Sequence, residues 1–137
     1  MTETEKIQAL VRHRLDQATE ALSSAELNLA NRLERSAVNR AYYAMFYAVL
    51  ALLAASQTET SRHSAAIAQF DQAYVKPAVF RKEVSRWLHE AFLHRQAVDY
   101  GAEVALTRDE IDLLLAHARE FLSGVRQHLD AHPPSGR

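Results

Sequence analysis

Apolar residues recur along this chain in steps of three and four, the spacing that lays side chains along one side of an α-helix. Val11, Leu15, Ala18, Leu22, Ala25 and Leu29 alternate fours and threes, flanked by Arg12, Arg14, Asp16, Glu20 and Glu26. They predict a helix over about residues 4–30, one face on a bundle core and the rest in water, opened by Thr2 and Glu5 as a capping box. After a polar break at Asn31–Glu34, the stretch from about residue 35 to 55 is apolar on every side from Ala41 onward, the mark of a central helix. A polar loop follows at Ser56–Ser61. Thr60 or Ser61 then stands as the cap of a shorter helix running to about Tyr74, with Ala66, Ile67 and Phe70 as its apolar face. Pro77 disfavours the helical conformation at Lys76 and is expected to end it. A fourth helix, from about Ala78 to Val98, carries the stripe Val84, Leu88, Ala91, Arg95 and Val98, and Gly101 suits a left-handed cap beyond it. Thr107 and Glu110 form a second capping box before Ile111, Leu115, Ala118, Leu122, Val125 and Leu129. The pattern predicts an all-α, up-and-down bundle of four to five helices, with residues 1–131 as one domain and 132–137 as a flexible tail.

Composition narrows the function classes. With 137 residues the chain suits a single domain, and 3 Gly and 3 Pro argue against an all-β fold with many tight turns. The absence of cysteine removes disulfides, thiolate nucleophiles and Cys-based zinc sites. The apolar run Ala41–Ala55 is shorter than the ~20 residues that span a bilayer, and the amino-terminal residues lack a basic region. Neither a membrane span nor a signal peptide is expected, and a cytoplasmic location is. A net charge of −1 means that a polyanion would have to be held by a local patch. Lys76, Arg81, Lys82 and Arg86 against Glu83 form one such patch.

Two places carry more chemistry than packing requires. Arg40, Tyr43 and Tyr47 fall at i, i+3 and i+7, which puts a guanidinium and two phenols on one helical face beside Asn39, Tyr42 and Phe46. Tyrosines at a core edge with Arg40 reaching outward would also explain that face. Arg95 interrupts an apolar stripe, and an unpaired buried charge is costly, so it needs an anion. Asp99 one turn on could supply it, as could a phosphate or a partner's carboxylate in a cleft. Arg95, Asp99 and Tyr100 together form the candidate catalytic group at the end of the fourth helix. His128 and His132 lie four apart without an HExxH arrangement, and no Walker, GxGxxG or GxSxG motif occurs, so no metal or cofactor is expected.

The runs Asn39-Arg40-Ala41-Tyr42-Tyr43-Ala44-Met45-Phe46, Arg62-His63 leading to Phe70 and Val75-Lys76, Ala91-Phe92, and Arg95-Gln96-Ala97-Val98-Asp99-Tyr100 resemble the HEPN family, most of all its small stand-alone prokaryotic branch. The resemblance covers about residues 5–129 and implies a helical bundle, commonly a homodimer with a polar cleft where the copies meet. It also implies a minimal nucleotidyltransferase partner in a toxin–antitoxin module, and in active members a metal-independent endoribonuclease with an Arg followed four to six residues later by His. No histidine occurs from Gln96 to Ala102, so the proton-transfer role is vacant on this helix, and Tyr100 stands where active members place histidine. His63 or Asp99 could substitute.

The leading expectation is a HEPN-type nucleotide- or RNA-binding protein acting with a nucleotidyltransferase. Arg95 would contact phosphate, with Arg40, Tyr43, Tyr47, His63 and Lys76 as binding residues. The alternatives are a metal-independent endoribonuclease with a degenerate motif, and a helical dimerisation scaffold without ligand.

Overall fold

The computed structural model describes residues 1–58, 60, 62–101 and 106–134. Within these residues five α-helices form in chain order: α1 Glu3–Ala30, α2 Glu34–Ala55, α3 His63–Phe70, α4 Lys82–Asp99 and α5 Arg108–Ala131. Among the described residues there is no strand. The molecule is therefore an all-α bundle, and α2 is its centre: α1, α3, α4 and α5 all pack on it.

The α2 sequence explains that position. Ala37, Ala41, Ala44, Ala48 and Ala51 let neighbouring helices approach closely, while Val38, Tyr42, Met45, Val49, Leu52 and Leu53 fill the space between them. By length and composition α2 could also cross a membrane, but two-thirds of its apolar window, 67%, is buried inside the bundle. The stripes read from the sequence face this core. Ile111, Leu115, Ala118, Leu122, Val125 and Leu129 of α5 are all buried, as are Ala66, Ile67 and Phe70 of α3.

The helix ends are local chemistry. Thr107 makes the full reciprocal capping box with Glu110. Thr2 makes half of one: its hydroxyl accepts from the Glu5 amide at 3.1 Å and donates to the Glu5 carboxylate. α1 and α2 both stop on a left-handed residue that is not glycine, Arg32 at φ 62° and Gln57 at φ 58°. In each case the next amide reaches back five residues, Leu33 to the Asn28 carbonyl and Thr58 to the Leu53 carbonyl, both at 2.8 Å. A side chain in that conformation is strained where glycine is not. Arg32→Gly is therefore expected to raise the unfolding free energy by about 1 kcal/mol, read as a higher urea midpoint at unchanged slope.

Four expectations need correction here. α3 begins at His63 with Arg62 before it and no side-chain cap. Thr60 instead accepts a long bond from the Arg62 amide, 3.4 Å, and Ser61 lies outside the described residues. The third helix does not run on as a regular α-helix to Tyr74, because Asp71–Val75 is a π-helical turn. Nor does Pro77 push Lys76 out of the helical region, since Lys76 sits at φ −56°, ψ −44°. In a regular α-helix the Pro77 ring would strike the carbonyl four residues back, and the wider π turn, closed by Lys76 N–H on the Asp71 carbonyl at 2.8 Å, moves that carbonyl aside. The chain then leaves through Ala78 at φ 66°, and with Arg81 extended, α4 starts at Lys82 instead of Ala78. Asp71 binds Ser85 Oγ at 2.6 Å and His89 Nε2 at 2.7 Å, while the Tyr74 hydroxyl donates to the Leu52 carbonyl at 3.0 Å. The π turn is thus tied to both α4 and the end of α2. Of the tail, His132 to Pro134 are described and residues 135–137 are not.

Candidate functional site

The polar cluster forms where the first half of α2 meets the last turns of α4 and the first residue of α3. Arg95 is only partly covered, with its side chain 22% exposed and that of Asp99 33%. Its Nε lies 2.7 Å from Asp99 Oδ2, an ion pair by distance. The Nε–H is not aimed at that oxygen, so the atom is buried without a directed acceptor. Nη2 donates to the Tyr43 hydroxyl at 3.1 Å, and the guanidinium carbon lies 5.4 Å from the Tyr43 ring centre and 5.7 Å from that of Tyr42.

Asn39 links this pair to a second cation. Its Nδ2 donates to Asp99 Oδ1 at 3.1 Å, and its Oδ1 accepts from Nε and Nη2 of Arg40 at 3.1 and 2.9 Å. Arg40 also stacks over Tyr43 at 4.7 Å. Beside these residues a pocket of about 380 Å³ is lined by Asn28, Arg35, Ser36, Asn39, Arg40, Val98 and Asp99. Among the described residues no carboxylate lies within ion-pair distance of Arg35 or Arg40. Among the described residues the pocket is therefore lined by two guanidiniums, Arg35 and Arg40, and by one carboxylate, Asp99, which is already paired with Arg95.

His63 enters from α3. Its ring stacks on Phe46 at 4.1 Å with 4° between the planes, and Nδ1 lies 2.7 Å from the Tyr42 hydroxyl. Burial pushes the Tyr42 phenol well above its ordinary range, so it keeps its proton at neutral pH. Burial, and secondarily the charge of Arg95, push the His63 imidazole below its ordinary value of 6.5. A histidine that takes up its proton less readily folded than unfolded favours the unfolded chain as pH falls. His117, stacked on Trp87 at 4.2 Å, and His128 are lowered in the same direction, burial being the main cause in each. Stability from these three groups is complete above about pH 6.5 and is lost as the pH drops below it. Urea unfolding at pH 7.5 and 5.0 should show that loss, a His63 NMR titration should have its midpoint below 6.5, and His63→Gln should reduce the pH sensitivity.

Of the residues singled out in the sequence, the structure brings Arg40, Tyr43, His63, Arg95 and Asp99 together. Tyr47 extends the same face, its ring 5.7 Å from Tyr43. Two are left out. Tyr100 follows the end of α4 and is 85% exposed, with no side-chain hydrogen bond among the described residues. Lys76 follows the π turn, which is anchored to Leu52, about 18 Å along α2 from Arg40 at 1.5 Å per residue. The basic patch around it is also partly spent, Arg81 on Glu120 at 3.2 Å and Arg86 on Glu83 at 3.9 Å. Asn39 and Tyr42, read from the sequence only as neighbours of the tyrosine face, turn out to be the links, Asn39 between the arginines and Tyr42 to His63. The signal for Asn39 was there, an amide beside an arginine at the start of an otherwise apolar helix.

The HEPN domain model matches residues 11–128. The chain belongs to the HEPN family. A UPF0332 protein of Thermotoga maritima is 37% identical over 130 residues, covering 95% of this chain and 96% of its own. Two relatives from Methanocaldococcus jannaschii bear names that mention a function. "Putative toxin MJ0142" is 29% identical across 84% of this chain and 78% of its own, and "Putative toxin MJ0605" is 30% identical across 91% and 90%. The matched HEPN region contains every element of the cluster, from Asn28 to Asp99.

Proposed function

We propose that this chain is a toxin-like HEPN protein that holds a phosphate-bearing ligand, a nucleotide or RNA, against the arginines of α2 and α4. The observation that carries the reading is the charge imbalance at the site: Arg35 and Arg40 line the pocket beside one carboxylate, Asp99, which Arg95 already pairs with, and neither Arg35 nor Arg40 has a carboxylate partner among the described residues. Guanidiniums suit phosphate because their donors form a planar fork, and Tyr43 and Tyr47 offer hydroxyls and ring faces beside it. In this reading Asp99 and Asn39 position the arginines. The names of the two archaeal relatives support the toxin side. A homodimer and a minimal nucleotidyltransferase partner in the cytoplasm complete the proposal, with the exposed Tyr100 hydroxyl as an acceptor open to that partner. Fluorescence anisotropy with a labelled single-stranded RNA at several salt concentrations tests the ligand, sedimentation tests the dimer, and co-purification with the tagged protein tests the partner. RNA and nucleotide affinities no tighter than millimolar at low salt would reject the central claim.

The hydrogen bond between Tyr42 and His63 favours a second reading, a metal-independent endoribonuclease with its histidine supplied by α3 instead of α4. His63 stays neutral at pH 7, and Arg95 lies close enough to depress its protonation. With Nδ1–H donated to the phenol oxygen, Nε2 could take the proton of a 2′-hydroxyl. The 2′-oxygen would then attack phosphorus, the 5′-oxygen would leave, and Arg95 would offset charge on the phosphorane. Total tRNA incubated in EDTA should yield 2′,3′-cyclic phosphate ends. Equal yields from the wild type and Arg95→Ala, or none at micromolar protein, would reject this reading.

A further inference from the structure

A second histidine on the α3–α4 side of the bundle is held by a carboxylate. Just past the end of α3, Asp71 takes two donors from α4, Ser85 Oγ on Oδ1 at 2.6 Å and His89 Nε2 on Oδ2 at 2.7 Å. Its backbone is fixed as well, since its carbonyl accepts from the Lys76 amide at 2.8 Å to close the π turn. Short π-helical segments recur at functional sites, and this one delivers Asp71 to α4. The His89 side chain is 51% exposed, and its Nδ1 has no hydrogen-bond partner among the described residues. The Ser85 bond alone would tie the turn to α4, and a half-exposed imidazole adds little packing. Structure by itself does not account for the histidine.

A carboxylate placed in this way fixes the tautomer and direction of an imidazole and pairs with the imidazolium, which frees the other ring nitrogen to act on a substrate. The position of His89 relative to His63 supplies the task. His63 is the first residue of α3 and Asp71 follows the last, so the two stand about 12 Å apart along α3 at 1.5 Å per residue. On α4 the Phe92 ring lies 6.4 Å from the His63 ring, and His89 comes one turn before Phe92. The two histidines therefore flank Phe92 where α3 meets α4, with Arg95 one turn beyond it. Cleavage of RNA by its own 2′-oxygen needs two proton transfers, one from the 2′-hydroxyl and one to the departing 5′-oxygen. We propose that His89 is the general acid of the endoribonuclease reading given above, on which this inference rests. His63 Nε2 takes the 2′-hydroxyl proton and the bond from the 2′-oxygen to phosphorus forms. The bond from phosphorus to the 5′-oxygen breaks with its electron pair on that oxygen, and Nδ1–H of the His89 imidazolium protonates it. Exchange with water then returns both rings to their starting forms. Asp71 is a positioning residue in this scheme.

The test compares two leaving groups on the full chain in EDTA. Uridylyl-adenosine releases an alkoxide that needs a proton, whereas uridine 3′-(4-nitrophenyl phosphate) releases a phenolate that does not. His89→Gln, which keeps an amide donor for Asp71, is expected to slow cleavage of the dinucleotide about 100-fold or more and that of the nitrophenyl ester by no more than about threefold. His63→Gln should slow both. Equal losses on the two substrates would make His89 a structural tie of the π turn, and no loss on either would remove it from the reaction. Either result overturns the proposal and leaves the base reading of His63 standing. Failure of the wild type to cleave either substrate overturns that reading and this inference together. If His89→Gln does not fold, Asp71→Asn, which keeps an acceptor for Ser85, gives the same comparison: a loss confined to the dinucleotide supports the proposal, and an equal loss on both substrates overturns it.

Discussion

Arg40→Ala combined with Arg95→Ala is expected to weaken binding of single-stranded RNA by a factor of about 100 or more, since a hydrogen bond to a charged group contributes roughly 1.5–3 kcal/mol. The dependence of affinity on salt should flatten as well, because each lost phosphate contact removes about 0.7 from the logarithmic slope for a single strand. Arg126→Ala, whose guanidinium instead meets the Thr19 hydroxyl, should leave both quantities unchanged. Stability measurements on the same site separate a binding role from a purely structural one. Arg95→Met should be close to neutral, since a long apolar chain can occupy the same partly covered space. Asp99→Ala should cost about 1–3 kcal/mol, because it strands Arg95 and leaves the Asn39 amide without its acceptor. If Arg95→Met keeps full RNA affinity, the arginine serves the scaffold and no ligand.

Phe70→Ala is expected to cost about 3–5 kcal/mol through the apolar transfer of the ring and the cavity it leaves. Phe70 is fully buried at the junction of α3 and the π turn. Its ring centre lies 5.5 Å from Phe121, 5.7 Å from Phe80 and 6.2 Å from Tyr74, so one side chain joins α3, the π turn, the following loop and α5. Removing it should loosen the turn that carries Asp71 and Tyr74, and with it the ties to α4 and Leu52. Urea unfolding monitored by circular dichroism gives the loss directly. A change below about 1 kcal/mol would mean that the neighbouring rings close the gap, contrary to the usual incomplete relaxation of cores. A protein of ordinary stability, about 5–15 kcal/mol, would retain its fold but with a much smaller margin.

How far the sequence could be read depends on the range of the interaction concerned. Helix spans followed from spacing, and three of the five, α1, α2 and α5, begin and end within about two residues of the positions that the apolar rhythm and caps indicated. The exception was the passage from α3 to α4, where the rule for residues before proline pointed to a break at Lys76. That rule describes an isolated dipeptide, whereas here the π turn, held by Tyr74 on Leu52 and Asp71 on Ser85, absorbs the ring. The same limit bears on Lys76 and Tyr100, whose distance from the cluster could not be read from their neighbours in the chain. Both stand in suggestive local company, yet one is carried to the far end of α2 and the other past the end of α4 into solvent. Arg95 was legible because a charge in an apolar stripe requires a partner, and its partner lay one turn away.

Taken alone, the amino-acid sequence determined the helical class, the apolar face of each helix, and the presence of an arginine and a tyrosine pair where packing alone would not put them. These follow from 3.6-residue geometry and the cost of burying charge, which act between residues a few positions apart. Only the tertiary structure decided that Asn39 reaches Asp99 across 60 positions, that Arg95 reaches Tyr43 across 52, and that the Tyr42 hydroxyl meets His63 across 21. Those contacts depend on how α3 and α4 are set against α2. That setting is fixed by the summed packing of the whole core, to which no single stretch of the chain contributes more than a share.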